Sequence, residues 1–154
     1  MKLAVRGIPT NEAQTLWQGG SDAYGLSPIQ EVAKGQGNPC RHCLQLIPEG
    51  QPKWILAYRP FPEKQAYAET GPIFLHPTSC KRFEADHFPQ WMEYLEPALV
   101  RGYDVNHWIR YETGQVIAGK DLGRVCLEIL HDHNIAYVHV RSKFNCFQCR
   151  VERA

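Results

Sequence analysis

A Cys-x-x-Cys motif constrains this chain more than any other feature of its sequence. Cys40 and Cys43 stand in the segment "NPCRHCLQLIPEGQPKWIL", and the glycine and proline residues just before them favour a loop over a helix or a strand. A turn of this kind lets both sulfur atoms point at one metal ion, about 2.3 Å from a zinc. Two thiols supply only half of a tetrahedral site, so the sequence predicts a second pair of ligands elsewhere.

The segment "GPIFLHPTSCKRF" offers such a pair in His76 and Cys80. On a helix, residues four apart share one side, and Pro77 suits the first helical position. The positive end of the helix dipole would also favour a thiolate there. A knuckle that faces ligands at a helix start is the treble-clef arrangement, similar to LIM-type and poly(ADP-ribose)-polymerase-type zinc fingers. The predicted ligands of a structural zinc ion are Cys40, Cys43, His76 and Cys80.

A rival pair, Cys146 and Cys149 in "KFNCFQCRVERA", leaves the ligand set open. Together with the motif at 40–43 it would make a four-cysteine site. In an extended segment, however, residues three apart point to opposite faces, which places Cys149 on the core side and Cys146 away from it. The spacing therefore favours the first set. A tight turn at Asn145 would restore the second set or a mixed one, and the remaining alternative is that the cysteines bind no metal.

Two further residues, a cysteine and a histidine, have simpler interpretations. Cys126 lies on the apolar face of a predicted helix and is predicted to be a buried core thiol. His42 stands between the two knuckle cysteines and cannot easily turn to the same ion. We expect it to support a metal ligand or to face solvent.

The composition argues against several classes of protein. The chain has 154 residues and a formal net charge of +1, so no strong field directs it to nucleic acid or to an anionic membrane. No run approaches the eighteen or so apolar residues of a membrane span, and the amino terminus has no signal-peptide core. We expect a cytoplasmic protein that does not interact with membranes, in which cysteines serve as ligands, reactive groups or core residues rather than disulfides.

The order of apolar patterns predicts a single α+β domain over residues 1–154 with a mainly antiparallel sheet. Strand candidates are "KLAVRGIP", "KWILAY", "PIFLH", "RGYDV", "HWIRYE", "GQVIAG", "AYVHV" and "CFQCRV". Thr113 and Gly114 are predicted to form a turn between two of them. Helical spacing predicts two main helices. The first carries Phe88, Trp91, Met92, Leu95 and Leu99, and the second Leu122, Val125, Cys126, Ile129 and His133. A shorter helix, capped by Thr10 or Asn11, would carry Ala13, Leu16 and Trp17.

Two functions from different classes fit these patterns. The first is a binding or interaction module with a structural zinc, whose four protein ligands leave no position for water chemistry. The alternative is a thiol-dependent enzyme or redox protein that uses Cys146, with Arg150 lowering the thiol pKa and His139 on the preceding strand. A nucleic-acid binder is disfavoured, because the arginines near the carboxyl terminus form no long basic face.

The loop "AYRPFPEKQAYAETG" is the best candidate for a surface that binds a small polar ligand or a protein partner. Loops carry function more often than cores do. Its candidate ligand-binding residues are Arg59, Tyr67 and Glu69, to which we add His139 and Cys146. The equal alternative is that the tyrosines of this loop pack beneath it.

Five stretches of the chain are together familiar: "VRGIP", "NPCRHCL", "AYRPF", "YAETGPIFLH" and "AYVHVRSKFNCFQCRVERA". They resemble the bacterial family catalogued as domain of unknown function 1203, over nearly the full length. The resemblance implies a single α+β domain and no known activity. Equivalents shared by many members would be Cys40, Arg41, His139, Cys146, Arg150 and Arg153. Those often missing would be Cys43, His76, Cys80 and Cys149, so the resemblance implies a Cys-rich variant of the family.

Overall fold

Nine β-strands and two α-helices make up the computed structural model, which describes all 154 residues. The strands are β1 (Leu3–Arg6), β2 (Ile29–Val32), β3 (Pro52–Tyr58), β4 (Gly71–Leu75), β5 (Glu84–Ala85), β6 (Ala98–Tyr103), β7 (Ile109–Ile117), β8 (Tyr137–Ser142) and β9 (Phe147–Arg153). The helices are α1 (Thr10–Trp17) and α2 (Leu122–Leu130), and short 3-10 helices cover Gln90–Tyr94 and Gly119–Asp121. Every pairing between these strands is antiparallel. The predicted α+β class with a mainly antiparallel sheet is confirmed.

The chain forms two compact units. The first comprises Met1–Arg6, Gln65–Tyr67 and Glu84–Ala154, and the second Gly7–Lys64 and Ala68–Phe83. That the whole chain folds as one domain stays a prediction. None of the helices combines the length and the apolar character that a membrane crossing requires.

The first unit is built on a six-stranded sheet in the order β5-β1-β9-β8-β6-β7. Valines pair across its centre, with Val5 opposite Val151 and Val151 opposite Val138, and all three are fully buried. Helix α2 packs against β1, β6, β8 and β9. Its buried residues are Leu122, Val125, Cys126, Ile129 and Leu130. Burial of each large aliphatic side chain contributes roughly 1.5–3 kcal/mol, so this apolar layer accounts for much of the unit's stability.

Cys126 is fully buried on α2, which confirms its predicted place in the core. Burial alone raises the pKa of its thiol to about 12, because the charged thiolate is poorly solvated there. The helix ends at Leu130, so His133 lies outside it.

The second unit contains α1, a three-stranded sheet in the order β2-β3-β4, and the loop that carries the Cys-x-x-Cys motif. Strand β2 lies at an edge of this sheet, and all four of its residues are exposed. On the other side, Cys40 forms a parallel bridge with Phe74 of β4. Because β4 leads directly to His76, this bridge brings the two segments with candidate ligands side by side.

The predicted helix through residues 88–99 is wrong. Only a 3-10 helix forms at Gln90–Tyr94, and Leu99 belongs to strand β6. Pro89 precedes the short helix and Pro97 follows it. Proline cannot donate a backbone hydrogen bond and disfavours helix at the residue before it, so the apolar spacing cannot become one long helix.

The predicted turn at Thr113 and Gly114 is wrong as well. Strand β7 runs through both residues, and its register with β6 shifts between Val100 and Gly102. The hydroxyl of Thr113 accepts a hydrogen bond from the Gly102 amide at 2.7 Å and donates one to the Arg110 carbonyl at 2.6 Å. This side chain thus replaces the backbone pairing that the irregular register removes.

Candidate metal centre

The Cys-x-x-Cys motif forms a tight turn between two bridged residues, Pro39 and Leu46. The Leu44 amide donates to the Cys40 carbonyl at 2.8 Å, and the Cys40 amide donates to the Gln45 carbonyl at 2.9 Å. Leu44 has a φ of 54°, a left-handed conformation that turns the chain back just after Cys43. This turn is the knuckle-like loop that the sequence predicts.

The second pair of candidate ligands lies on an irregular segment. His76 follows the end of β4, and no helix occurs between residues 76 and 83. The predicted helix start and the treble-clef arrangement are therefore wrong, and no helix dipole acts on Cys80. Main-chain contacts hold this segment instead. The Phe83 amide donates to the His42 carbonyl at 2.9 Å, and the Arg82 guanidinium donates to the Gly7 carbonyl from Nε at 3.0 Å and from Nη2 at 2.9 Å.

Four donor atoms nevertheless converge. One sulfur or ring nitrogen from each of Cys40, Cys43, His76 and Cys80 lies within 4.8 Å of each of the others. The Sγ atoms of Cys40 and Cys80 are 3.9 Å apart, and Cys43 Sγ is 3.5 Å from His76 Nδ1. Ligands about 2.3 Å from a tetrahedral zinc are separated by about 3.8 Å. The group could therefore hold one metal ion.

The surroundings of these atoms also suit thiolate ligands. Cys40 and Cys43 are buried, whereas His76 and Cys80 are half-buried. The His76 amide donates to Cys40 Sγ at 3.4 Å. Hydrogen bonds from amides to sulfur disperse the negative charge of a thiolate, which is a common feature of the surroundings of metal ligands.

The three thiols cannot all ionise without a cation. Hydrogen bonds from the thiols of Cys43 and Cys80 lower the pKa of Cys40 strongly. The same contact with Cys40 raises the pKa of Cys43 to about 11 and raises the pKa of Cys80 further. His76 has a raised pKa because it hydrogen-bonds to the sulfur of Cys40. A coordinated cation would make Cys43 and Cys80 favour the thiolate over the protonated thiol, because metal binding deprotonates thiols.

His42 is fully buried, so the alternative that it faces solvent is wrong. Its Nδ1 lies 3.2 Å from Cys80 Sγ, and its Nε2 lies 3.0 Å from the Thr10 hydroxyl. The N-cap residue of helix α1 is Pro9, and no side chain caps the helix. The hydroxyl of Thr10 contacts His42 instead. This contact could not be predicted from the sequence, because no local spacing links residues so far apart in the chain.

A second residue of α1 also contacts the group of ligands. The Trp17 indole Nε1 donates to the His76 carbonyl at 2.8 Å. Its ring meets the His42 ring edge-on, with centroids 5.2 Å apart. The helix therefore contacts one candidate ligand and the histidine beside another.

The candidate ligand-binding loop is divided between the units. Arg59 and Glu69 belong to the second unit and Tyr67 to the first. The Arg59 Nε donates to the Phe61 carbonyl at 3.2 Å. The Tyr67 ring packs against Trp108, with centroids 5.7 Å apart. Ligand binding by these residues stays a prediction.

The rival cysteines lie elsewhere in the molecule. Cys149 is buried within β9, and Cys146 lies on the turn between β8 and β9. The Cys146 thiol contacts the Phe144 carbonyl at 3.9 Å. Neither cysteine is a member of the converging group of donors.

The residues proposed to activate Cys146 have surroundings of their own. His139 is fully buried, and burial lowers its pKa well below the ordinary value. The Arg150 guanidinium lies 3.7 Å from the centre of the Tyr137 ring and donates to Glu152 at 2.7 Å. Activation of Cys146 by these two residues stays a prediction.

Comparison with known proteins places the chain in a family. The model of the family described as "Protein of unknown function (DUF1203)" matches residues 37–153, a range that contains all four converging donors. No curated protein and no solved structure matches the chain. Since the family match covers most of the sequence, the chain belongs to the DUF1203 family of proteins of unknown function.

Proposed function

We propose that Cys40, Cys43, His76 and Cys80 bind one zinc ion with a structural role, and that the protein acts as a binding or interaction module. The observation that carries this proposal is the convergence of four donor atoms within 4.8 Å of one another. They come from two segments that are more than thirty residues apart in the sequence.

The chemistry of the donors favours zinc over other divalent ions. Three sulfurs and one ring nitrogen are soft or borderline ligands, which suit zinc. Calcium and magnesium prefer oxygen ligands, and no carboxylate belongs to the group. The separations of 3.5 and 3.9 Å are close to the edge of a zinc tetrahedron.

The number of protein donors supports a structural role. Four ligands from the chain fill a tetrahedron, so no position is open for a water molecule to be activated. An ion held in this way cross-links the knuckle to the segment after β4. Binding of zinc by small structural sites contributes on the order of 10 kcal/mol to folding, which would be a large share of the stability of the second unit.

Exposed apolar side chains support a role in binding. They occupy β2 and the residues before it: Tyr24, Leu26, Ile29 and Val32. Apolar groups that remain exposed beside an open sheet edge are common on surfaces that bind other proteins. A metal centre that fixes the loop next to this sheet would keep such a surface in shape.

Metal analysis of the purified protein tests the proposal. We expect about one equivalent of zinc in the wild type, and loss of zinc and of thermal stability in Cys43→Ser. Cys146→Ser is the matched control, because it removes a partly exposed thiol that is not in the group. It should retain the ion. Wild-type protein that binds no zinc, or Cys43→Ser with a full equivalent, would defeat the proposal.

A further inference from the structure

A histidine that is not one of the four candidate ligands makes a direct contact with one of them. His42 has no exposed surface, and its two ring nitrogens lie at hydrogen-bonding distance from Cys80 Sγ (3.2 Å) and the Thr10 hydroxyl (3.0 Å). Trp17 packs edge-on against the same ring. The imidazole is thus fixed at both nitrogens and along one side.

The protonation of Cys80 decides the direction of these hydrogen bonds. A neutral imidazole has one N–H donor and one acceptor nitrogen. A thiolate has no proton to give, so Nδ1 must carry the hydrogen when Cys80 acts as a ligand. Nε2 is then the acceptor, and the Thr10 hydroxyl can donate to it. The two hydrogen bonds that link Thr10, His42 and Cys80 therefore have one consistent direction, in which each donor has an acceptor.

We propose that His42 is a positioning residue of the metal centre, which donates an N–H···S hydrogen bond to the Cys80 thiolate while Thr10 fixes its tautomer. This inference rests on the proposed metal site. Among the three sulfurs, Cys40 receives a backbone amide, that of His76. Cys80 lies on a segment without regular structure and is half-exposed. In this proposal, the hydrogen-bond donor to Cys80 Sγ is therefore a side chain, that of His42.

The main chain of His42 strengthens this role. Its carbonyl accepts the Phe83 amide at 2.9 Å, so the residue holds the segment after Cys80 as well as the sulfur itself. Mutation of a residue that hydrogen-bonds to a metal ligand typically lowers metal affinity 10–100-fold. Loss of the imidazole donor should therefore weaken the bond at Cys80 and speed the release of the ion.

Two variants separate the hydrogen bond from the packing of the ring. His42→Phe keeps a ring beside Trp17 but has no N–H, whereas His42→Asn loses the ring but can donate from Nδ2. We expect His42→Phe to bind zinc about 10-fold more weakly or worse, in competition with a chromogenic chelator. His42→Asn should recover most of the affinity.

The spectrum of the Co²⁺-substituted protein supplies a second readout that packing alone would not move. Without an N–H donor, the sulfur is more electron-rich, so the sulfur-to-cobalt charge-transfer band of His42→Phe should shift to longer wavelength. The band of His42→Asn should stay near that of the wild type. Unchanged affinity and an unchanged band in His42→Phe would overturn the inference, as would equal losses in both variants with no shift.

If His42→Phe does not fold, His42→Asn decides the question. Affinity and band position near the wild-type values support the hydrogen bond, and a loss as large as that of Cys80→Ser overturns it. The two proposals fail in different ways. A wild-type protein without zinc defeats the metal site itself, whereas normal zinc binding that is insensitive to His42 defeats only the positioning role.

Discussion

His139 is a fully buried titratable side chain of the six-stranded sheet. Its ring lies against Tyr103, Tyr137 and Phe147, with centroids 4.8, 4.9 and 4.9 Å away. Burial is the main cause that lowers its pKa, and the positive charge of Arg141 adds to it. A histidine in these surroundings remains neutral at a pH at which an unfolded chain would protonate it.

Replacement of His139 by phenylalanine should make stability less dependent on pH. Below the unfolded pKa of about 6.5, the unfolded chain binds a proton that folded His139 does not, so stability falls as the pH falls, by up to about 1.4 kcal/mol per pH unit. Urea unfolding at pH 7.5 and 5.5 measures this slope. The candidate metal ligands are the same in both proteins, so the difference between the two slopes isolates His139. Identical slopes in wild type and His139→Phe would show that His139 is protonated in the folded state.

The spacing of residues along the chain predicts contacts between near neighbours, but it does not predict contacts between residues that are far apart in the sequence. Cys40 and Cys43 are three residues apart, so a single turn suffices to bring their sulfurs together, and the sequence shows this directly. The contact between His42 and Cys80 spans 38 residues. It depends on how the knuckle lies against a segment held by main-chain hydrogen bonds, which no residue pattern encodes.

Three short segments of backbone meet beside the knuckle. The Gly7 amide donates to the Phe83 carbonyl at 3.0 Å, and the Ile8 amide donates to the Arg41 carbonyl at 2.8 Å. A Cβ atom on Gly7 would lie 2.0 Å from the His42 carbonyl oxygen, far inside contact distance. Glycine is therefore required for this close approach of the segments.

Gly7→Ala should force these segments apart. Overpacking of this kind costs typically 1–3 kcal/mol, and movement of His42 should also weaken zinc binding. Gly37→Ala is the matched control, because nothing lies within 4 Å of the Cβ that it adds. Urea unfolding and competition for zinc with a chelator measure both effects. A Gly7→Ala protein with the stability of the control would contradict the requirement for close approach.

Strands could be predicted from the sequence better than helices. Short apolar runs such as those of β3, β4 and β8 have the composition that strands favour, and all three form. The two helical interpretations that fail both depend on proline. Pro97 interrupts the apolar spacing of residues 88–99, and Pro77 suits a helix start but is followed by "TSCKRF", which has no apolar face to bury.

At the scale of the whole molecule, the two units differ in the interactions that can stabilise each of them. The first has a six-stranded sheet covered by the apolar side of α2. The second has a three-stranded sheet with an exposed edge strand and a helix of eight residues. Small assemblies of this kind bury little apolar surface and commonly need a metal ion or a disulfide. The proposed zinc ion is such a cross-link, and it lies wholly within the second unit.

Removal of the metal should consequently loosen the second unit more than the first. In hydrogen exchange followed by mass spectrometry, the apoprotein should lose protection in peptides that contain Leu56 of β3 and Ile73 of β4. Peptides that contain Val140 of β8 and Val151 of β9 should keep theirs, because the sheet and α2 bury these residues without a metal. Cys43→Ser should reproduce the pattern without a chelator. Equal loss of protection in both units would contradict this expectation and would support the prediction of a single cooperative domain.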